Sequence, residues 1–142
     1  MLRPLVAAFA IAAVLVLSAV AQETTAAPSL ALELNALQPS DAGCRITFLA
    51  TNGLGGAIDK ATFEVALFGT GGGIDRLVSL DFKALAMGKT KVLQFELSGL
   101  QCDGVSRVLV NDVTACEGER LAAGDCLAGL TTSTRAKVEF GV

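Results

Sequence analysis

The sequence predicts an all-β domain, an antiparallel β-sandwich of about seven strands stapled by two disulfides. Three observations carry this reading. Apolar residues recur every second position over short windows, the period of a strand with one buried face. Clusters of Gly, Pro, Asn, Asp and Ser separate those windows at the spacing of tight turns. The four cysteines, Cys44, Cys102, Cys116 and Cys126, all fall inside the patterned region.

The elements follow in chain order. Leu30, Leu32 and Leu34 alternate with Ala31, Glu33 and Asn35. Pro39-Ser40-Asp41-Ala42-Gly43 then turns the chain into a second strand that points Cys44, Ile46, Phe48 and Ala50 inward. Asn52-Gly53-Leu54-Gly55-Gly56 ends it. Phe63, Val65 and Leu67 form the inner face of a third strand, and Gly69-Thr70-Gly71-Gly72-Gly73 reads as a hairpin tip. The fourth, Ile74 to Phe82, buries either Val78, Leu80 and Phe82 or Leu77 and its alternates. Leu93, Phe95 and Leu97 define the fifth. Val105 to Val113, apolar around Val108-Leu109-Val110, suits a central strand covered on both faces. The last window, Thr132, Thr134, Ala136, Val138 and Phe140, reads as one strand. Lys83 to Met87 and Glu119 to Leu127 are the only helix-prone stretches, each good for one short turn. An immunoglobulin-like arrangement is the first choice for these strands and a small barrel the second. The expected core is Leu34, Ile46, Phe48, Phe63, Val65, Phe95, Leu97 and Val110.

Residues 1–21 read as an address. Met1-Leu2-Arg3-Pro4 is short and positive, Leu5 to Val20 is apolar apart from Ser18, and Ala19-Val20-Ala21 is a small-x-small cleavage site. The run is also close to the minimum length of a membrane span, so a retained anchor is the rival reading. The Ala-x-Ala site and the polar residues after it select cleavage after Ala21. Residues 22–29 form a polar, Pro-interrupted leader and residues 30–142 the β domain. The chain is therefore expected to be periplasmic or secreted, with no membrane span after cleavage.

Composition removes several functions. The 142 residues carry 11 Lys or Arg and 14 Asp or Glu, for a net charge of −3. Cleavage removes one basic residue, Arg3, and no acidic one. An acidic chain has no basic footprint for nucleic acid. It has no His, the commonest general base and metal ligand, and no Trp or Tyr. An even cysteine count in an exported chain reads as two disulfides. Four cysteines allow three pairings. Cys116 and Cys126 are close and flank a loop-like stretch, which pairs them and leaves Cys44 with Cys102. No Cys-x-x-Cys spacing supports a zinc or redox site.

The runs Leu32-Glu33-Leu34-Asn35, Gly43-Cys44-Arg45-Ile46-Thr47-Phe48 and Asn52-Gly53-Leu54-Gly55 resemble a family of small uncharacterised exported proteins of alphaproteobacteria. Leu80-Asp81-Phe82, Gln94-Phe95-Glu96-Leu97 and Val108-Leu109-Val110-Asn111 extend the likeness over most of the mature chain. Some members are labelled by a twin-Arg signal, whereas this chain has a single Arg before its apolar run. The resemblance implies a periplasmic β domain and no activity. The second strand is also loosely similar to immunoglobulin-like domains.

No reactive constellation stands out. Gly69 to Gly73 lacks the Lys and helix of a phosphate loop, and Asn52 to Gly56 lacks the βαβ context of a dinucleotide site. No serine lies in a Gly-x-Ser-x-Gly elbow or at Ser-x-x-Lys spacing. The carboxylates Asp75, Asp81, Asp103, Asp112, Glu117, Glu119 and Asp125 lack the aromatic platforms that a glycosidase would add. They also lack EF-hand spacing for calcium, and read as solvated loop charges. No catalytic residue, cofactor or metal is expected. The remaining candidate is the loop between Cys116 and Cys126, which a disulfide would constrain and which would present Arg120 and Leu121. The expected function is a non-enzymatic binding or accessory module with an envelope protein partner. The alternative is a structural subunit or adaptor that assembles through sheet edges, and an enzyme ranks third.

Overall fold

The computed structural model describes Ala21 and residues 23–142. The expected signal peptide and its cleavage junction lie outside the described residues, apart from Ala21. Residues 23–28 are exposed and carry no regular structure. Among the described residues, no helix is long and apolar enough to cross a membrane.

Among the described residues, eight strands form two four-stranded sheets. In chain order they are β1 (Ser29–Pro39), β2 (Gly43–Gly53), β3 (Ile58–Gly69), β4 (Ile74–Leu85), β5 (Thr90–Ser98), β6 (Val105–Glu117), β7 (Leu130–Thr134) and β8 (Glu139–Gly141). One sheet has the order β5-β2-β1-β7 and the other β4-β3-β6-β8. The period-two pattern sets which faces meet. Leu30, Leu32 and Leu34 of β1 and Cys44, Ile46, Phe48 and Ala50 of β2 are all buried, as are Phe63, Val65 and Leu67 of β3. Phe82 of β4 joins the layers at the centre, with ring centroids 4.7 Å from Phe63, 5.5 Å from Phe48 and 5.3 Å from Phe95. Such separations suit tilted and offset aromatic pairs. Of the expected core only Phe95, on the edge strand β5, is half-buried, while Leu97 on the same strand is buried. On β4 the inward set is Val78, Leu80 and Phe82, while Leu77 is 54% exposed.

The glycine run between β3 and β4 is a hairpin tip, closed by Gly69 N–H to Gly73 O at 2.8 Å and Gly72 N–H to Gly69 O at 2.9 Å. Both disulfides have the expected pairing. Cys44 at the start of β2 joins Cys102 in a 3-10 turn (Cys102–Gly104) before β6, and Cys116 near the end of β6 joins Cys126.

Four expectations need correction. The window from Thr132 to Phe140 is two strands. β7 lies in one sheet and β8 in the other, and the chain bends at 135–138. Thr132, Ala136, Val138 and Phe140 are all half-buried on either side of the corner while Thr134 is exposed at it, so the alternation in the sequence carries on from one sheet to the other. The sheets are also not wholly antiparallel: β7 runs parallel to β1, from Leu30↔Leu130 to Leu34↔Thr134, and β8 runs parallel to β6. Lys83 to Met87 forms no helical turn. Lys83 takes a left-handed backbone (φ 60°) at a register shift, β4 continues to Leu85, and Met87 bridges to Asn52. β6 does sit between β3 and β8, but one face meets solvent: Leu109 is half-buried while Arg107 and Asn111 are exposed.

Candidate functional site

The segment closed by Cys116 and Cys126 is built from the end of β6 outward. Cys116 is buried at the strand terminus. A turn follows, with Leu121 N–H donating to Gly118 O at 3.2 Å. Asp125 then fastens the second half. Its carboxylate accepts the Ala122 N–H at 2.9 Å, and its own N–H donates to Ala122 O at 3.0 Å. One helical turn, α1 (Asp125–Ala128), carries the fully buried Cys126 back under the loop. Gly129 O accepts the Leu30 N–H at 2.8 Å, which joins the loop's exit to the start of β1.

The loop rests on the turn after β2, and two glycines permit the approach. A Cβ on Gly118 would stand 2.3 Å from Ala57 O, and one on Gly56 would stand 2.9 Å from the Arg120 Cβ. Neither distance is open to a side chain at that backbone position. Closing a loop of this length stabilises by roughly 3 kcal/mol on the chain-entropy model. The structure therefore holds the loop twice, by a covalent bond and by close backbone packing.

The two residues expected at the loop tip part company. Arg120 is exposed and makes no ion pair among the described residues. Leu121 is half-buried and packs on the core, so it anchors the loop rather than being presented by it. Arg120 stands between two shallow grooves. One, of about 340 Å³, is lined by the apolar Pro28, Leu54, Leu121 and Ala128 together with Asp125. The other, of about 390 Å³, is lined by Gly55, Gly56, Ala57, Asp59, Met87 and Glu119. Met87 is 61% exposed there. A third groove, about 490 Å³, lies at the corner between β7 and β8, with Arg135 and Lys137 on its rim.

The turn beneath Arg120 depends on a residue that sequence reasoning passed over. Asn52 is fully buried, donates its side-chain amide to Gly56 O at 3.0 Å and accepts the Leu54 N–H at 3.0 Å. The signal was present in the alternation, since Asn52 continues the inward phase of Cys44, Ile46, Phe48 and Ala50.

The carboxylates are spread over the surface, and Asp75, Asp81, Asp112 and Asp125 serve in structural ties. Asp75 pairs with Arg76 and Asp81 with Lys83 at 2.7 and 2.8 Å, and Asp112 accepts the Val113 N–H at 2.8 Å. Hydrogen bonds from the Lys83 side chain and backbone hold Asp81 below the usual carboxylate range. A hydrogen bond from Ser40, reinforced by Arg45, does the same for Glu96. Both groups are thus ionised at neutral pH, the opposite of a carboxyl tuned to deliver a proton. Among the described residues, no group of three or more Cys, Asp or Glu is arranged to hold a metal ion. No family model, curated protein or solved structure matches the chain.

Proposed function

We propose that the chain is an exported, non-enzymatic binding or accessory module of the cell envelope, periplasmic or secreted, that engages an envelope protein partner through the Cys116–Cys126 loop. The observation that carries this reading is the bracing of that loop. Disulfide closure, the Gly118 contact with Ala57 O and the seated Leu121 leave Arg120 as an exposed cation between two grooves. A loop ordered before binding loses less conformational entropy on association. Arg beside small apolar pockets is a common anchor of protein interfaces.

Two disulfides in a domain of this size support export to an oxidising compartment. The strand plan supports an immunoglobulin-like arrangement. The run β5-β2-β1 corresponds to the E-B-A run of such domains, and β3-β6 to their C-F pair. The chain departs from that pattern in lacking the core Trp and in its parallel final strands.

Affinity capture from the envelope of the native host, with mature wild-type chain and Arg120→Ala in parallel, tests the reading. The expected result is a partner retained by wild type and lost by Arg120→Ala at an unchanged melting temperature. Equal retention by both, or an Arg120→Ala chain that melts earlier and binds normally, would return Arg120 to a structural role.

A further inference from the structure

Among the described residues, the two longest sheet edges lie on one side, and each is fastened by a cation from the opposite sheet. β4 and β5 are the edge strands there. They expose Ile74 (61%), Leu77 (54%) and Val92 (62%). Long edge strands with exposed apolar side chains are templates for pairing with another chain. Lys91 of β5 reaches across and donates to the carbonyls of Ala84 at 3.0 Å and Phe82 at 3.3 Å on β4. At the other end, Arg76 of β4 donates to the carbonyl of Ser98 on β5 at 2.9 Å, and Asp75 holds that guanidinium in place. Asp81 occupies the Lys83 N–H at 2.8 Å, where β4 is already distorted by the left-handed Lys83. The opposite side needs no such device, because its edges, β7 and β8, are five and three residues long.

We infer that Lys91 and Arg76 are reciprocal edge guards, which keep a second copy of the chain from adding its β4 or β5 strand to this side of the sandwich. An incoming strand needs the free carbonyls of the edge as acceptors. Here the guards already hold three main-chain carbonyls of the two edge strands, and a strand that displaced the guards would also bury two cations beside its own backbone. This inference is independent of any role for the Arg120 loop.

The test is the mass of the mature chain in solution, followed by multi-angle light scattering over a concentration series, for wild type and for Lys91→Met with Arg76→Leu. The double variant is expected to reach at least twice the wild-type mass at concentrations where wild type stays constant. Amide hydrogen exchange should slow in β4 or β5 of the associated form. If the double variant fails to form both disulfides, Lys91→Gln alone is read the same way. A folded variant whose mass matches wild type throughout, or a wild-type chain already paired through β4 or β5, would overturn the inference.

Discussion

The side-chain amide of Asn52, at the end of β2, donates to the main-chain carbonyl of Leu85, at the end of β4, at 2.9 Å. The same nitrogen serves Gly56 O, and the side-chain oxygen takes the Leu54 N–H. One buried side chain therefore ties together both sheets and the turn on which the disulfide loop rests. A buried polar group is costly unless paired, and here every part of the amide is used. Asn52→Ala should remove the side-chain partner of two buried carbonyls and of the Leu54 N–H. The expected loss is about 2–4 kcal/mol, read from chemical denaturation, since each orphaned group costs about 1–3 kcal/mol. A loss under about 0.5 kcal/mol would mean that water reaches those carbonyls.

The central aromatic contact gives a graded expectation. Phe48 is 1% exposed and meets Phe82, Phe95 and Phe140, while Phe95 lies half-buried on an edge strand. Phe48→Ala should cost roughly 3–5 kcal/mol. Phe95→Ala should cost distinctly less, because solvent already reaches part of the ring. Equal losses from the two would contradict the placement of Phe48 at the centre of the core.

Much of this architecture is legible because one physical signal dominates it. Alternation at Leu30–Leu34, Cys44–Ala50 and Phe63–Leu67 marks faces that are in fact buried, and Gly69–Gly73 marks the turn between two of the strands. The corner after Thr134 is illegible for an equally physical reason. It contains no Gly or Pro. Instead, the Thr134 hydroxyl makes the bend by accepting the Ala136 N–H at 3.1 Å and donating to Val138 O at 3.1 Å. Arg120 and Leu121 were legible as members of a constrained loop, but not which one faces solvent. That depends on the seat formed by the turn at Gly53 to Gly56, more than sixty residues away in the chain.

The two disulfides should differ in worth. They close segments with sequence separations of 58 and 10 residues. On the chain-entropy model, the long closure stabilises by about 4 kcal/mol and the short one by about 3 kcal/mol. Cys116→Ser with Cys126→Ser should therefore cost about 2–4 kcal/mol and leave the two sheets intact. Cys44→Ser with Cys102→Ser should cost more. Denaturant midpoints at matched slopes decide between them. A larger loss from the Cys116–Cys126 pair would show that the loop supports the sheets beneath it and does not only ride on them.

Glu96 makes acid sensitivity testable at one position. Ser40 donates to one carboxylate oxygen at 2.7 Å and Arg45 to the other, so the turn after β1 is tied to β5 across β2. These bonds favour the ionised form and hold the carboxyl of Glu96 below its ordinary range. In the unfolded chain the group returns to that ordinary range, so the unfolded state binds the proton more readily. The tie is therefore fully present above the ordinary carboxylate pKa. It weakens as pH falls through that value and is gone below the lowered, folded-state value. Glu96→Gln should remove this contribution at neutral pH and flatten the acid limb of the stability profile. The difference between wild type and variant should shrink toward zero as the solution is acidified. Because Glu96 and Arg45 are both exposed, added salt should narrow the same difference at neutral pH. Melting temperatures of the two chains from neutral to acidic pH, at low and high salt, measure both effects. Parallel curves at every pH would show that the bonds from Ser40 and Arg45 do not favour the carboxylate over the acid.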